Sequence, residues 1–257
     1  MQNLNVTIVQ KDLIWEDVAA NLAHLDKMIE KNTPQTDLLI LPEMFTTGFS
    51  MAPAKIAETM EGSGVYWMKE MAKKLNAAVC GSLVINDKGK FFNRMVWMRP
   101  DGSFETYDKR HLFTLADEHK FYDRGNKRLV TEWRGWKICP LICYDLRFPV
   151  WARNTEGYDL LLFVANWPET RITHWQNLLR GRAVENQSYT IGVNRVGIDG
   201  TGKKYSGHSA IIDFNGLPLY VGIGTEDIFT LSLSKEILNQ YRERFQFLKD
   251  QDTFEIK

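Results

Sequence analysis

Residues 159–167 read DLLLFVANW, and residues 37–44 read DLLILPEM. Both runs are apolar at consecutive positions and do not alternate. Successive side chains of a strand point to opposite faces, so a strand that is apolar throughout is covered on both sides. Further apolar or β-rich runs lie near 4–10, 77–85, 91–98, 136–143, 189–196, 208–214 and 227–233. Helical patterns near 17–31, 64–75, 171–187 and 235–245 are interleaved with them. The first places Val18, Leu22, Leu25 and Ile29 on one stripe, and the third gathers Ile172, Trp175, Leu179, Ala183 and Val184. Interleaved strands and helices make the class α/β. PDG at 100–102 and FNG at 214–216 read as tight turns between antiparallel partners, so the sheet is expected to be mixed.

No linker, low-complexity segment or tandem repeat divides the 257 residues, and 1–257 reads as a single domain. Lys and Arg total 32, as do Asp and Glu, which argues against a nucleic-acid partner, although a sum of zero leaves room for a local basic patch. The start, MQNLNVTIVQKD, lacks the pattern of a secretory signal, and no apolar run approaches 18 residues, so no membrane span is expected. Cys80, Cys139 and Cys143 make neither a CxxC nor a disulfide framework, which suits a reducing, cytoplasmic setting. Cys80 and Cys139 read as buried structural residues, with Pro140 expected to interrupt strand pairing beside Cys139. His111, Asp117, His119 and Asp123 lack a zinc spacing, so no metal is expected.

Polar groups stand where apolar strands end, which is where open α/β sheets bind ligands. DLLILPEM ends at Glu43, KICPLICYD carries Cys143 and Asp145, and LLLFVANW ends at Asn166 and Trp167. ETYDKRHLF carries Lys109 and leads to Glu118. A carboxylate, an amine and a thiol at one sheet edge form an acyl-transfer set. The thiolate is the nucleophile, an adjacent ammonium lowers the thiol pKa and can hold an oxyanion, and a carboxylate relays protons. Asp145 and Arg147, flanking the turn after Cys143, are expected to pair with each other.

LLILPEMFTTGF, YDKRHLF and CPLICYDLRFP, in this order, resemble the three signature blocks of the nitrilase (carbon–nitrogen hydrolase) superfamily. GRAVENQSYTIGVNRVG and YSGHSAIIDFNG resemble later parts of the same family, so the likeness spans nearly the whole chain. The resemblance implies a four-layer α-β-β-α sandwich of two mixed β-sheets, and subunits paired as a homodimer. It also implies a Glu43-Lys109-Cys143 triad, an additional glutamate at Glu118, and an oxyanion contact from the backbone N–H of Tyr144. No cofactor is implied. CYDLRFP, NWP, DKRHLF and ADEH, with short loops, are most similar to the ω-amidase branch. That branch hydrolyses the terminal amide of 2-oxoglutaramate and 2-oxosuccinamate to a 2-oxo dicarboxylate and ammonia.

A pocket for such a small-molecule amide would be walled by Phe45, Asn166 and Trp167, with Phe148 and the Tyr144 ring nearby. A substrate carboxylate needs a cationic end, for which Arg171 is a candidate. The alternatives are an amidase for N-carbamoyl compounds or small aliphatic amides, and a non-catalytic interaction protein.

Overall fold

The computed structural model describes residues 3–32 and 35–256. Among them the strands are β1 (Leu4–Gln10), β2 (Leu38–Ile40), β3 (Ala78–Asp87), β4 (Lys90–Met98), β5 (Phe104–Asp108), β6 (Thr131–Trp133), β7 (Trp136–Ile142), β8 (Leu160–Ala165), β9 (Tyr189–Asn194), β10 (Val196–Ile198), β11 (Lys204–Ile212), β12 (Pro218–Ile223) and β13 (Asp227–Leu233). The helices are α1 (Val18–Asn32), α2 (Pro53–Ile56), α3 (Ser63–Leu75), α4 (Pro149–Ala152), α5 (Ile172–Asn186) and α6 (Lys235–Arg244).

One sheet runs β13-β1-β2-β3-β4-β5, and the other runs β10-β11-β9-β8-β7-β6 with β12 beside β11. In each, the three central strands are parallel and the flanking pairs antiparallel. Both sheets are therefore mixed. The carboxyl ends of the parallel strands supply two of the functional segments of the first sheet's β2 and the second sheet's β7, and a third follows β8.

The apolar run at 38–41 shows why consecutive apolar residues were needed. Leu38 and Ile40 belong with Ile138 and Leu162 to the core between the sheets, while Leu39 and Leu41 pack under α1 and α3. Each such side chain contributes roughly 1.5–3 kcal/mol by leaving water. Val65, Met68, Met71 and Ala72 seat α3, and Leu25 and Ile29 seat α1. Trp175, Leu179 and Ala183 seat α5 on the second sheet. Helices thus cover both outer faces, giving four layers in the order α-β-β-α. Among the described residues, no helix is long and apolar enough to cross a membrane.

Several local expectations change. Val184 is 49% exposed, off the buried stripe of α5, where Arg182 and Asn186 are buried instead. Pro140 does not interrupt β7, because it stays in register with Leu162 of β8. The pairing of β6 ends at Ile138, so a missing N–H on that edge breaks no ladder bond. The turns at 100–102 and 214–216 do join antiparallel pairs, with Gly102 and Gly216 at φ of +84° and +81°. The β6–β7 hairpin has no such signal, since Arg134 at φ +48° precedes Gly135 at +78°. That conformation ordinarily selects Asn, Asp or Gly.

Candidate active site

Glu43 lies three residues beyond β2, on a segment still tied to β3 by Leu41 N–H donating to Cys80 O at 2.8 Å. Its carboxylate is fully buried and every oxygen is engaged. Oε1 accepts from Lys109 Nζ at 2.9 Å and from Asn93 Nδ2 at 2.7 Å. Oε2 accepts from the backbone N–H of Asn166 at 2.8 Å, a bond that crosses from one sheet to the other. Asn93, on β4, was not singled out from sequence. An Asn within the apolar run FFNRMVWM was the available signal.

Lys109 follows β5 and is also fully buried. Besides Glu43 it donates to both oxygens of Glu118 at 3.0 Å. Glu118 stands on a short 3-10 turn, where its Oε2 also accepts from Phe113 N–H at 2.5 Å. Burial pulls the Lys109 pKa down, but the charges of Glu118 and Glu43 outweigh it and hold the ammonium above its ordinary range. Burial raises Glu118, with Lys109 opposing.

Cys143 follows β7 at φ +43°, a conformation strained for a residue with a Cβ. It is half-buried, in contrast to Cys80 and Cys139. Burial pushes the Cys139 thiol up to about 12, and Cys80 rises as well. The Cys143 thiol is likewise raised, by burial first and then by the negative charge of Glu43, with Lys109 pulling it down. One ammonium already serves two carboxylates and cannot also compensate a thiolate. Lys109 does pull the thiol pKa down, as expected from the sequence, but burial and the Glu43 charge outweigh it. This balance favours the thiol form, so a neighbouring base is needed to take the proton as Sγ attacks.

The turn after Cys143 is not held by an Asp145–Arg147 pair. Asp145 is buried and accepts from Ile142 N–H (3.0 Å), Tyr107 OH (2.7 Å) and His111 N–H (3.1 Å), with His111 Nδ1 at 2.7 Å. It links the Cys143 turn to the segment that carries Lys109. Arg147 points instead toward the cavity, over the Trp167 ring at 4.7 Å and 3.2 Å from His174 Nδ1.

A cavity opens above Glu43, Lys109, Cys143 and Tyr144. Asn166, Trp167 and Arg171 line it, and so do Phe49, Phe113 and Tyr205, which were not singled out. Phe45 does not. It is fully buried under α3, with its ring centroid 5.9 Å from that of Trp67, because the chain turns after Glu43 and sends Phe45 to the helix side of the sheet. Phe148 also lies outside, stacked on His111 at 3.8 Å. Besides Lys109, three cations line the cavity, namely Arg147, Arg171 and Lys203. Among the described residues none of the three has an ion pair with a carboxylate. Nor does any group of three or more His, Cys, Asp or Glu side chains there stand ready to hold a metal.

Residues 5–240 match the carbon-nitrogen hydrolase family model. The chain belongs to the carbon–nitrogen hydrolase family. An omega-amidase, YafV, of Escherichia coli is 45% identical over 100% of both chains. A 2-oxoglutaramate amidase of Bacillus subtilis is 33% identical, covering 95% of this chain and 96% of its own. A CN-hydrolase superfamily protein of Xanthomonas campestris, whose crystal structure carries an arsenic adduct in the active site, superposes with a TM-score of 0.97 at 44% identity over 100% of both chains. Family membership accounts for the two mixed sheets.

Proposed function

We propose that this hydrolase is a thiol-dependent ω-amidase. It would convert 2-oxoglutaramate or 2-oxosuccinamate to the 2-oxo dicarboxylate and ammonia. The observation carrying this reading is the set of carboxylate-free cations, Arg147, Arg171 and Lys203, around a cavity floored by Glu43, Lys109 and Cys143. A substrate with an amide at one end and a carboxylate at the other satisfies both regions. The names of the Escherichia coli and Bacillus subtilis relatives point the same way.

In this reading Cys143 Sγ attacks the amide carbon while its proton passes to Glu43. Lys109 and the backbone N–H of Tyr144 hold the oxyanion. Glu43 returns the proton to the leaving nitrogen, the C–N bond breaks, and ammonia departs from a thioester. Water then attacks, giving its proton to Glu43. The C–S bond breaks and Sγ regains a proton. Glu118 orients Lys109 and the water. Asn166 and Trp167 wall the substrate, and Arg171 takes its carboxylate. The balance is one amide and one water to one acid and one ammonia.

Ammonia release from 2-oxoglutaramate, glutamine and an N-carbamoyl amino acid, measured side by side, tests the reading. The highest kcat/KM is expected with 2-oxoglutaramate. A higher value for an N-carbamoyl or simple aliphatic amide would move the hydrolase to that substrate class. Arg171→Ala should raise KM for 2-oxoglutaramate roughly tenfold, with kcat changed far less, as for the loss of a charge-assisted hydrogen bond. An unchanged KM would remove Arg171 from carboxylate binding.

We also propose that residues 1–257 act as one domain, in the cytoplasm, as a homodimer without nucleic-acid or membrane partners. Three free cysteines support the compartment, and apolar Val150 and Val184, 54% and 49% exposed, support a covered surface. Sedimentation at micromolar concentration should give a dimer, and a monomer there would overturn that assignment.

A further inference from the structure

The loop between β10 and β11 closes on one carboxylate. Asp199 is only 7% exposed. Its Oδ1 accepts from Thr201 N–H at 2.8 Å, Thr201 Oγ1 at 2.7 Å and Lys203 N–H at 3.0 Å. Its Oδ2 accepts from Tyr205 OH at 2.8 Å. The backbone closes the same ring, since Asp199 N–H donates to Lys203 O at 3.0 Å and Gly202 N–H to Asp199 O at 2.9 Å. Lys203 and Tyr205 are both cavity-lining residues. Arg195, fully buried, stacks behind the Tyr205 ring at 4.8 Å.

These contacts assign different jobs to neighbouring groups. The Tyr205 hydroxyl is spent on Asp199, and burial together with the Asp199 charge keeps the phenol protonated. Tyr205 therefore offers the cavity its ring. Although burial raises the Asp199 pKa, the hydrogen bonds from Thr201, Tyr205 and Lys203 outweigh it and keep the carboxylate ionised. Asp199 grips the backbone of Lys203 and leaves its ammonium unpaired with any acid, the nearest partner being Thr201 Oγ1 at 3.1 Å. An unpaired ammonium on a cavity wall, held by its main chain, is suited to an incoming anion.

We propose that Lys203 is a specificity-determining residue that reads, together with Arg171, the carboxylate at the far end of the substrate, and that Asp199 is its positioning residue. The inference rests on the reading of this site as an amidase for anionic amides, and deepens it.

Binding can be followed separately from ammonia release, by protection of Cys143 from iodoacetamide. The ligands are 2-oxoglutarate, the anionic product of the proposed reaction, and pentanamide, an uncharged amide of the same chain length. Lys203→Met and Asp199→Asn should each raise the half-protecting concentration of 2-oxoglutarate about tenfold, leaving protection by pentanamide as in the parent. Lys203→Arg should restore most of the loss. The double variant should bind 2-oxoglutarate within about twofold of Lys203→Met alone, because Asp199 acts through Lys203. Equal losses for both ligands would mean a general collapse of the wall and would overturn the proposal. So would unchanged 2-oxoglutarate protection, or fully additive losses in the double variant. Ammonia release from 2-oxoglutaramate is scored separately, so a failed activity and a failed carboxylate reader are distinguishable.

Discussion

Purified Cys143→Ala protein is expected to hydrolyse 2-oxoglutaramate with kcat/KM reduced roughly 10⁴-fold or more, while its Tm stays within about 3 °C of the parent. The activity loss follows from removal of the atom that forms the thioester, which no neighbouring side chain can replace. Cys80 and Cys139 are buried within strands, away from the cavity. The small change in stability follows from the position itself. Cys143 sits at φ +43° and is half-buried, and Ala meets the same backbone strain while giving up little packing. Ammonia release and a thermal melt on the same preparation check both halves. Turnover above about 1% of the parent would exclude Cys143 as nucleophile. Glu43→Gln is the companion variant. It keeps the thiol and the shape of the site but removes the base that a protonated thiol requires, so kcat should fall by about 10²–10⁴.

Lys109→Met is expected to be inactive and, unlike Cys143→Ala, strongly destabilised. Lys109 and its two carboxylate partners are completely buried, with contacts of 2.9 and 3.0 Å. Removing the cation leaves Glu43 and Glu118 facing one another without a counter-charge. Breaking a buried pair from one side costs about 3–5 kcal/mol. The loss should depend on pH. Burial already raises Glu118 in the folded parent, and Lys109 is the group that opposes it. Without Lys109 the folded-state pKa rises further above the unfolded value. Between those two values the folded protein binds more protons than the unfolded chain, so stability falls as pH rises through that window. Lys109→Met should therefore be less destabilised relative to the parent near pH 5 than near pH 8. Denaturant unfolding at the two pH values measures this. An equal deficit at both would mean that Glu118 does not take up a proton when Lys109 is lost.

Local sequence and tertiary structure contributed unequally to these expectations. Unbroken apolar runs such as DLLILPE and DLLLFVA require strands with both faces covered, because period-2 side chains expose any polar face at once. The interleaved helical stripes then require helices outside the sheets. The strand ends carrying Glu43, Cys143 and Asn166 could be located on the same grounds. The short strands β5, β6 and β12 could not. Each owes its conformation to a partner strand more than to its own pattern, and the Arg134–Gly135 turn is unusual for its backbone geometry.

What the sequence determined by itself was the class, the double-sided burial of the central strands, and, through its three ordered blocks, the family and the candidate Glu43, Lys109, Cys143 and Glu118. Only the tertiary structure decided what surrounds them. It put Phe45 under a helix, turned Arg147 away from Asp145 toward the cavity, and brought Lys203 in from a loop 60 residues beyond the Cys143 turn. It also set burial and the Glu43 charge against the pull of Lys109 on the Cys143 thiol. The physical reason is common to all of these. Side-chain direction after a strand ends, and the charge balance of a buried cluster, depend on groups distant in the chain that meet only when the two sheets stack.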